Sequence, residues 1–521
     1  MLRSLAHRGT RAARSVPSRA SSSSAPRPAA LASNQPPAAA HAPPPPGPPG
    51  AQAVEDKKPQ PFILRPLSRR YQLESVEAAP AIDPASGSTT LSFISPASPK
   101  QPRTVTVPNL WLRDGSIHPD HVHPSSNQRL FRTSDVPLEG KLVGYGVHEL
   151  PGHGECLVTE WSAPLRGSKN PTSAKLSVVP TRNLVALLEN PQHPLEGDLP
   201  APRTWDRAAL NETLVRMPYD RFQSDEAALH ETLDALVQDG IVFLTGVPNA
   251  EREGHHTDLR QLVERIGSLR RTWYGDLWDV KAEEGSLNIA YTNLDLGLHM
   301  DLTHFDNPPR YQFLHSLQND RVRGGLSYFV DTYALAAHLH ATDPSAFATL
   351  AEQDVHFEYR NGPHHTRFVR PTFELAPGSN SRLHAVNYSP PFQGPLPLQR
   401  LSTASGDGAA GGNVVSDDAH RLAELHDALS QFSALCDDPQ SRWRFEHQLA
   451  PGECVVFDNR RVLHARTAFE FEQEGEGECG RWLKGAYMDG DELWSKWRVL
   501  GRKLLESEQE KLRTKGRTLF V

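Results

Sequence analysis

Cysteine is scarce in this chain. The four residues, Cys156, Cys436, Cys454 and Cys479, are widely spaced and form no CxxC pair. That argues against a disulfide scaffold and suits buried thiols in a reducing compartment. Nowhere do about 18 apolar residues run together, so no transmembrane helix is expected. An excess of positive charge is missing too: the net charge is −7 over 521 residues. Neither nucleic acid nor an anionic membrane is therefore expected as a partner. A chain of this length can bury a sizeable core, and two domains are expected.

Acidic residues are missing from the start of the chain, the first being Glu55. Residues 1–58 carry Arg and Ser instead, and on a helix Leu2 and Leu5 would segregate from the Arg residues. That is the composition of a mitochondrial transit peptide. The plainer alternative is a disordered basic tail on a cytoplasmic protein. From Pro28 to Pro49 the chain is rich in Ala and Pro and includes PPPPGPPG, which reads as an unpacked linker.

What is present begins with short apolar runs between turn signals over 61–200, among them TTLSFIS, RTVTVPNLWLRD and ECLVTEW. These read as strands of a small β-rich N-terminal domain. The stretch 219–248 reads as a helix with Ser224 as N-cap, then a buried strand IVFLTGV after Gly240. A second helix is expected over 255–267, with His255 and His256 in its exposed first turn. Further helices are expected at 332–353 and 418–437 within a strand-rich domain spanning 215–521. The Gly/Ser/Ala-rich segment 402–419 has the composition of a flexible insertion. A last helix places Leu493, Trp497, Leu500 and Leu504 on one face.

The chemistry centres on His299-Met300-Asp301. In extended backbone, residues i and i+2 point to the same side, so one imidazole and one carboxylate converge. A stable metal site needs a third ligand. His464 supplies a candidate, because it follows a Val/Phe-rich run and a turn at Asp458-Asn459. Two His and one carboxylate leave half an octahedron open, the facial arrangement of non-haem Fe(II) oxygenases. Any single histidine among 24 is more often a surface or core residue; the weight lies in the combination.

Seven segments support a wider resemblance: WLRD at 111–114, WYGDLWDV at 273–280, NIAYT at 288–292, LHMD at 298–301, GGLSYFVD at 324–331, FDNRRVLHAR at 457–466 and RWLKGAY at 481–487. In these the chain resembles the gamma-butyrobetaine dioxygenase and trimethyllysine dioxygenase family, within the Fe(II)/2-oxoglutarate-dependent taurine-dioxygenase superfamily. The resemblance runs in order over roughly residues 100–500.

That resemblance implies a double-stranded β-helix, a jelly roll decorated with helices, behind the small β domain. It implies Fe(II) on His299, Asp301 and His464, 2-oxoglutarate as cosubstrate, dioxygen, and ascorbate as reductant. Arg481 matches the position that pairs with the cosubstrate's far carboxylate, with Arg466 as the alternative; a guanidinium suits planar bidentate recognition. Ser327 matches the position that helps hold the metal-side carboxylate. A trimethylammonium acid is the implied substrate. Its fixed charge cannot donate a hydrogen bond and is held by aromatic faces, and Tyr274, Trp278, Tyr291 and Tyr487 match that cage. Asn288 and Asn387 match positions that bind the substrate carboxylate.

The implied reaction is hydroxylation of gamma-butyrobetaine to L-carnitine. Trimethyllysine, another small acid, or a catalytically silent scaffold are the alternatives. The last helix would serve a homodimer. In the family, an N-terminal zinc site uses cysteines just after WLRD. Here no Cys follows, and His118, His121 and His123 occupy the neighbourhood, with His148 and His153 only nearby. A zinc site on His118 and His121 is left open on those residues.

Overall fold

A computed structural model describes residues 72–78, 87–95, 98–150, 153–189, 199–250, 257–281, 296–319, 322–398, 414–438, 441–471 and 481–514. The leader, His255, His256, Asn288 and Tyr291 lie outside these residues.

Two sheets form the heart of the described structure. The larger has six strands in the order Arg216–Pro218, Ile241–Thr245, Cys454–Asp458, Tyr311–Asn319, Arg481–Met488 and Leu277–Lys281. The smaller has four, in the order Leu296–His299, Val462–Arg466, Ser327–Asp331 and Phe445–His447. Pairing is antiparallel except for Arg216–Pro218 with Ile241–Thr245.

The strand IVFLT shows why these segments read as continuous apolar runs. Its Val242 and Leu244 join one core with helices Glu226–Asp239, Asp258–Ile266 and Gly490–Thr514. Ile241 and Phe243 face the other way and meet Phe329, Phe445 and Val462 of the smaller sheet. Both faces are buried, so no polar alternation survives. The smaller sheet is covered on its far side by Thr332–Thr342, Pro344–Glu352 and Val414–Asp437. The result is helix, sheet, sheet, helix, the expected jelly-roll sandwich with helical cover.

Local expectations shift by small amounts. Ser224 closes the helix Tyr219–Ser224, and Asp225 caps the next one by accepting from Ala227 N–H at 2.8 Å. A carboxylate one residue later satisfies the free amides better placed for it. Gly240 ends that helix at φ 77°, a conformation that suits glycine. The expected helix over 332–353 is two helices, broken at Asp343-Pro344, because Pro cannot continue the first but fits the start of the second. Of the insertion expected at 402–419, residues 414–419 belong to the helix Val414–Asp437, and 402–413 lie outside the described residues.

Residues 72–189 hold two three-stranded antiparallel sheets, Gln72–Ala78, Ser88–Ser95 and Ser98–Pro108, and Leu142–Leu150, Gly154–Trp161 and Leu176–Pro180. Phe93, Leu112, Trp161 and Leu184 share one apolar cluster there. WLRD lies on the helix Asn109–Asp114 rather than continuing a strand. Pro108 ends the ladder immediately before it. Among the described residues, no helix is long and apolar enough to cross a membrane.

Candidate active site

Leu296–His299 pairs with Val462–Arg466, and His299 sits opposite His464 in the register. Asp301 follows where the first strand ends. The ligand atoms of His299, Asp301 and His464 lie within 4.8 Å of one another. His299 Nε2 is 3.5 Å from Asp301 Oδ1, and His464 Nε2 is 3.9 Å from Asp301 Oδ2. The arrangement expected from sequence is therefore assembled.

Its donors suit a divalent transition metal. His299 Nδ1 lies 2.9 Å from the Gly297 carbonyl. A carbonyl only accepts, so Nδ1 carries the proton and Nε2 keeps its lone pair for a metal. Burial, helped by the neighbouring His299, pushes His464 down to about 3 against the opposing pull of Asp301. Its imidazole is neutral at neutral pH, as ligation requires. Burial would raise the Asp301 carboxyl, but its close neighbours, His299 first and then His464 and the Tyr487 hydroxyl, outweigh that and hold it well below the usual carboxylate range.

The turn that aims His464 is clamped by charge. Asp458 pairs with Arg310 at 2.8 Å, and Arg461 makes two 2.9 Å bonds to Asp331. Arg460 reaches Glu374 at 3.0 Å. The polar word FDNRR is thus a scaffold for the histidine three residues beyond it. Buried ion pairs of this kind fix geometry more than they add stability.

A cleft opens beside the three ligands. Ser327, Arg466 and Arg481 line it. Ser327 is the register partner of Arg466, and both guanidinium groups lie against the Phe469 ring, 4.8 and 5.5 Å from its centre. Tyr274, Trp278 and Tyr487 also line the cleft. Trp278 and Tyr487 stack on each other with centroids 4.0 Å apart. They form one two-ring wall, since no cation fits between rings at that separation.

Asn387 is a correction. It does not line the cleft; its amide donates to the Pro371 carbonyl and to Glu374 Oε1, each at 2.9 Å. Both donors of the amide are occupied by structure. The two histidines of the zinc expectation, His118 and His121, lie together in the loop between the N-terminal sheets. The His118 and His121 rings lie 5.0 Å apart, and His121 Nδ1 is 3.0 Å from Ser116 Oγ. Among the described residues, the three-ligand cluster found is His299, Asp301 and His464.

Sequence reasoning missed several other lining residues, among them Gln312, Leu314, Pro391, Phe392 and Leu483. Gln312 is buried, and its amide oxygen has no hydrogen-bond partner. Only the sheet pairing shows them: Gln312 and Leu314 are alternate residues of one strand, and Gln312 is the register partner of Tyr487.

Comparison with known proteins agrees with this site. Residues 202–487 match the family described as "Taurine catabolism dioxygenase TauD, TfdA family". The chain belongs to the TauD/TfdA dioxygenase family. It is 37% identical over 395 residues to "Dioxygenase str8" of Strobilurus tenacellus, covering 75% of this chain and 84% of the relative. It is 28% identical over 394 residues to gamma-butyrobetaine dioxygenase of Pseudomonas sp. (strain AK-1), covering 76% and 90%. Trimethyllysine dioxygenase of Meyerozyma guilliermondii is 23% identical over 424 residues, covering 75% and 90%. Family membership and the His/Asp/His cluster together support an iron- and 2-oxoglutarate-dependent dioxygenase.

Proposed function

We propose that this dioxygenase hydroxylates gamma-butyrobetaine to L-carnitine, coupled to oxidation of 2-oxoglutarate to succinate and carbon dioxide. The observation that carries the reading is the aromatic wall of Tyr274, Trp278 and Tyr487 in the cleft that holds His299, Asp301 and His464. A trimethylammonium entering such a cleft loses its water, and ring faces offset that loss by roughly 0.5–2 kcal/mol each.

His299, Asp301 and His464 would hold Fe(II), which with the 2-oxoacid supplies the activation of dioxygen. Arg481, with Arg466 beside it, takes the far carboxylate of 2-oxoglutarate, and Ser327 hydrogen-bonds its metal-side carboxylate. Gln312 offers an amide to the substrate carboxylate, the role expected of Asn387. The apolar walls of Leu314 and Leu483 limit water around the reacting carbon. We further propose a mitochondrial leader in 1–58, a separate β-rich domain over 61–200, ascorbate as reductant and a homodimer through the last helix.

A second reading, another small acid without a fixed charge, draws on the mutual stacking of Trp278 and Tyr487, which leaves fewer free ring faces. Trimethyllysine remains a rival with the same head group. One experiment separates them. The enzyme is incubated with Fe(II), ascorbate, 2-oxoglutarate and each of gamma-butyrobetaine, trimethyllysine and the neutral tert-butyl isostere of butyrobetaine. Succinate and hydroxylated product are read by mass. Butyrobetaine should be turned over best and the isostere should bind far more weakly. Equal affinity for charged and neutral heads would discard the cation-binding reading.

A further inference from the structure

One side chain joins the aromatic wall to the metal ligands. Tyr487 is buried in the strand Arg481–Met488, every residue of which is buried. Its ring lies against Trp278. Its hydroxyl donates to Asp301 Oδ2 at 2.6 Å. This is a short bond to a charged acceptor, about twice as strong as a neutral one.

The carboxylate needs that restraint. The terminal torsion of an Asp side chain is broad and roughly two-fold. A carboxylate can also offer a metal one oxygen or two. Asn459 holds the backbone of Asp301 but touches neither carboxylate oxygen. The phenol does what the backbone clamp cannot. It occupies Oδ2, the oxygen 3.9 Å from His464 Nε2, and so turns Oδ1 toward His299, whose Nε2 is 3.5 Å away.

We infer that Tyr487 is a positioning residue for the metal site: its hydroxyl orients the Asp301 carboxylate so that one oxygen is presented to the metal, in addition to its ring forming part of the cleft wall. The inference rests on the iron-site reading and is independent of which substrate is used. It predicts that the two parts of Tyr487 separate by mutation. Tyr487→Phe keeps the ring and removes one oxygen; Trp278→Phe removes ring surface and leaves the phenol bond.

The test is anaerobic calorimetric titration of each metal-free full-length variant with Fe(II), and with Co(II) as a redox-stable probe, without substrate or 2-oxoglutarate. Thermal unfolding of the metal-free forms verifies that both variants are folded. Tyr487→Phe should weaken metal binding by about ten-fold or more, as loss of a partner behind a metal ligand does. Trp278→Phe should leave metal affinity within about two-fold. The Co(II) absorption spectrum should also change in Tyr487→Phe and not in Trp278→Phe. Parental metal affinity in Tyr487→Phe would overturn the inference. So would an equal loss in both variants, which would mean that the cleft wall as a whole, not the hydroxyl, supports the site. Neither result would bear on the butyrobetaine reading, which substrate affinity tests separately.

Discussion

Asn459 holds Asp301 by both of its backbone polar groups. Its Oδ1 accepts the Asp301 N–H at 2.8 Å and its Nδ2 donates to the Asp301 carbonyl at 3.0 Å and the Pro309 carbonyl at 3.2 Å. The restraint stands where the backbone is unusual: Leu302, the next residue, has φ 60°. That left-handed conformation costs a non-glycine residue about 1–2 kcal/mol. The clamp offsets the cost and fixes where the metal-binding carboxylate emerges.

Replacing Asn459 should therefore damage the metal site from outside it. Asn459→Ala leaves buried groups of Asp301 unpaired, at about 1–3 kcal/mol each. Asn459→Asp should be worse, because it sets a carboxylate oxygen against two carbonyls. We expect both to lower the thermal midpoint and weaken Fe(II) binding, in that order of severity. Thermal unfolding and metal titration measure the two effects. An Asp variant as stable as the parent would contradict the assigned hydrogen bonds.

Gly485 should tolerate no side chain. A Cβ there would come within 2.3 Å of the Trp278 ring. Gly485→Ala must displace that indole, which lines the cleft. Overpacking costs about 1–3 kcal/mol, and we expect a raised KM for substrate with a smaller change for 2-oxoglutarate. Steady-state kinetics with each varied in turn decide it.

Arg481 and Arg466 flank one ring, so their roles separate only by substitution. Arg481→Lys keeps the charge but loses the planar fork. We expect the KM for 2-oxoglutarate to rise about ten-fold or more, with a smaller rise for Arg466→Lys. The reverse order would transfer the carboxylate to Arg466.

Two histidines remote from the metal ligands set an acid limit. Burial pushes His121 down to about 4, with His118 adding to the shift, and burial pushes His315 down to about 4. The unfolded chain then binds more protons than the folded one between about pH 4 and the ordinary histidine value. Stability should fall as pH drops through that window, by up to about 1.4 kcal/mol per pH unit for each group. Denaturant unfolding at stepped pH should show it. His315→Gln should make the slope shallower, and an unchanged slope would remove His315 from the account.

The sequence by itself determined the ligand set and where several elements lie, and its family resemblance picked out the two cleft arginines. The first two depend on neighbours in the chain: His299 and Asp301 two apart in extended backbone, His464 behind a charged turn, Gly240 where a helix must end. It also determined three of the four aromatic positions that the described residues place at the cleft. What it could not supply was any relationship carried by sheet pairing. Asn459 meets Asp301 across 158 residues of chain, and Tyr487 meets it across 186. The same distance hid Gln312, which reads as one polar residue in an apolar strand until the sheet sets it beside Tyr487. Asn387 failed for the complementary reason: its amide type suited a carboxylate, but folding gave its donors to Pro371 and Glu374 first. Residue chemistry fixes what a side chain can bind, and only the packed fold decides which partner is within reach.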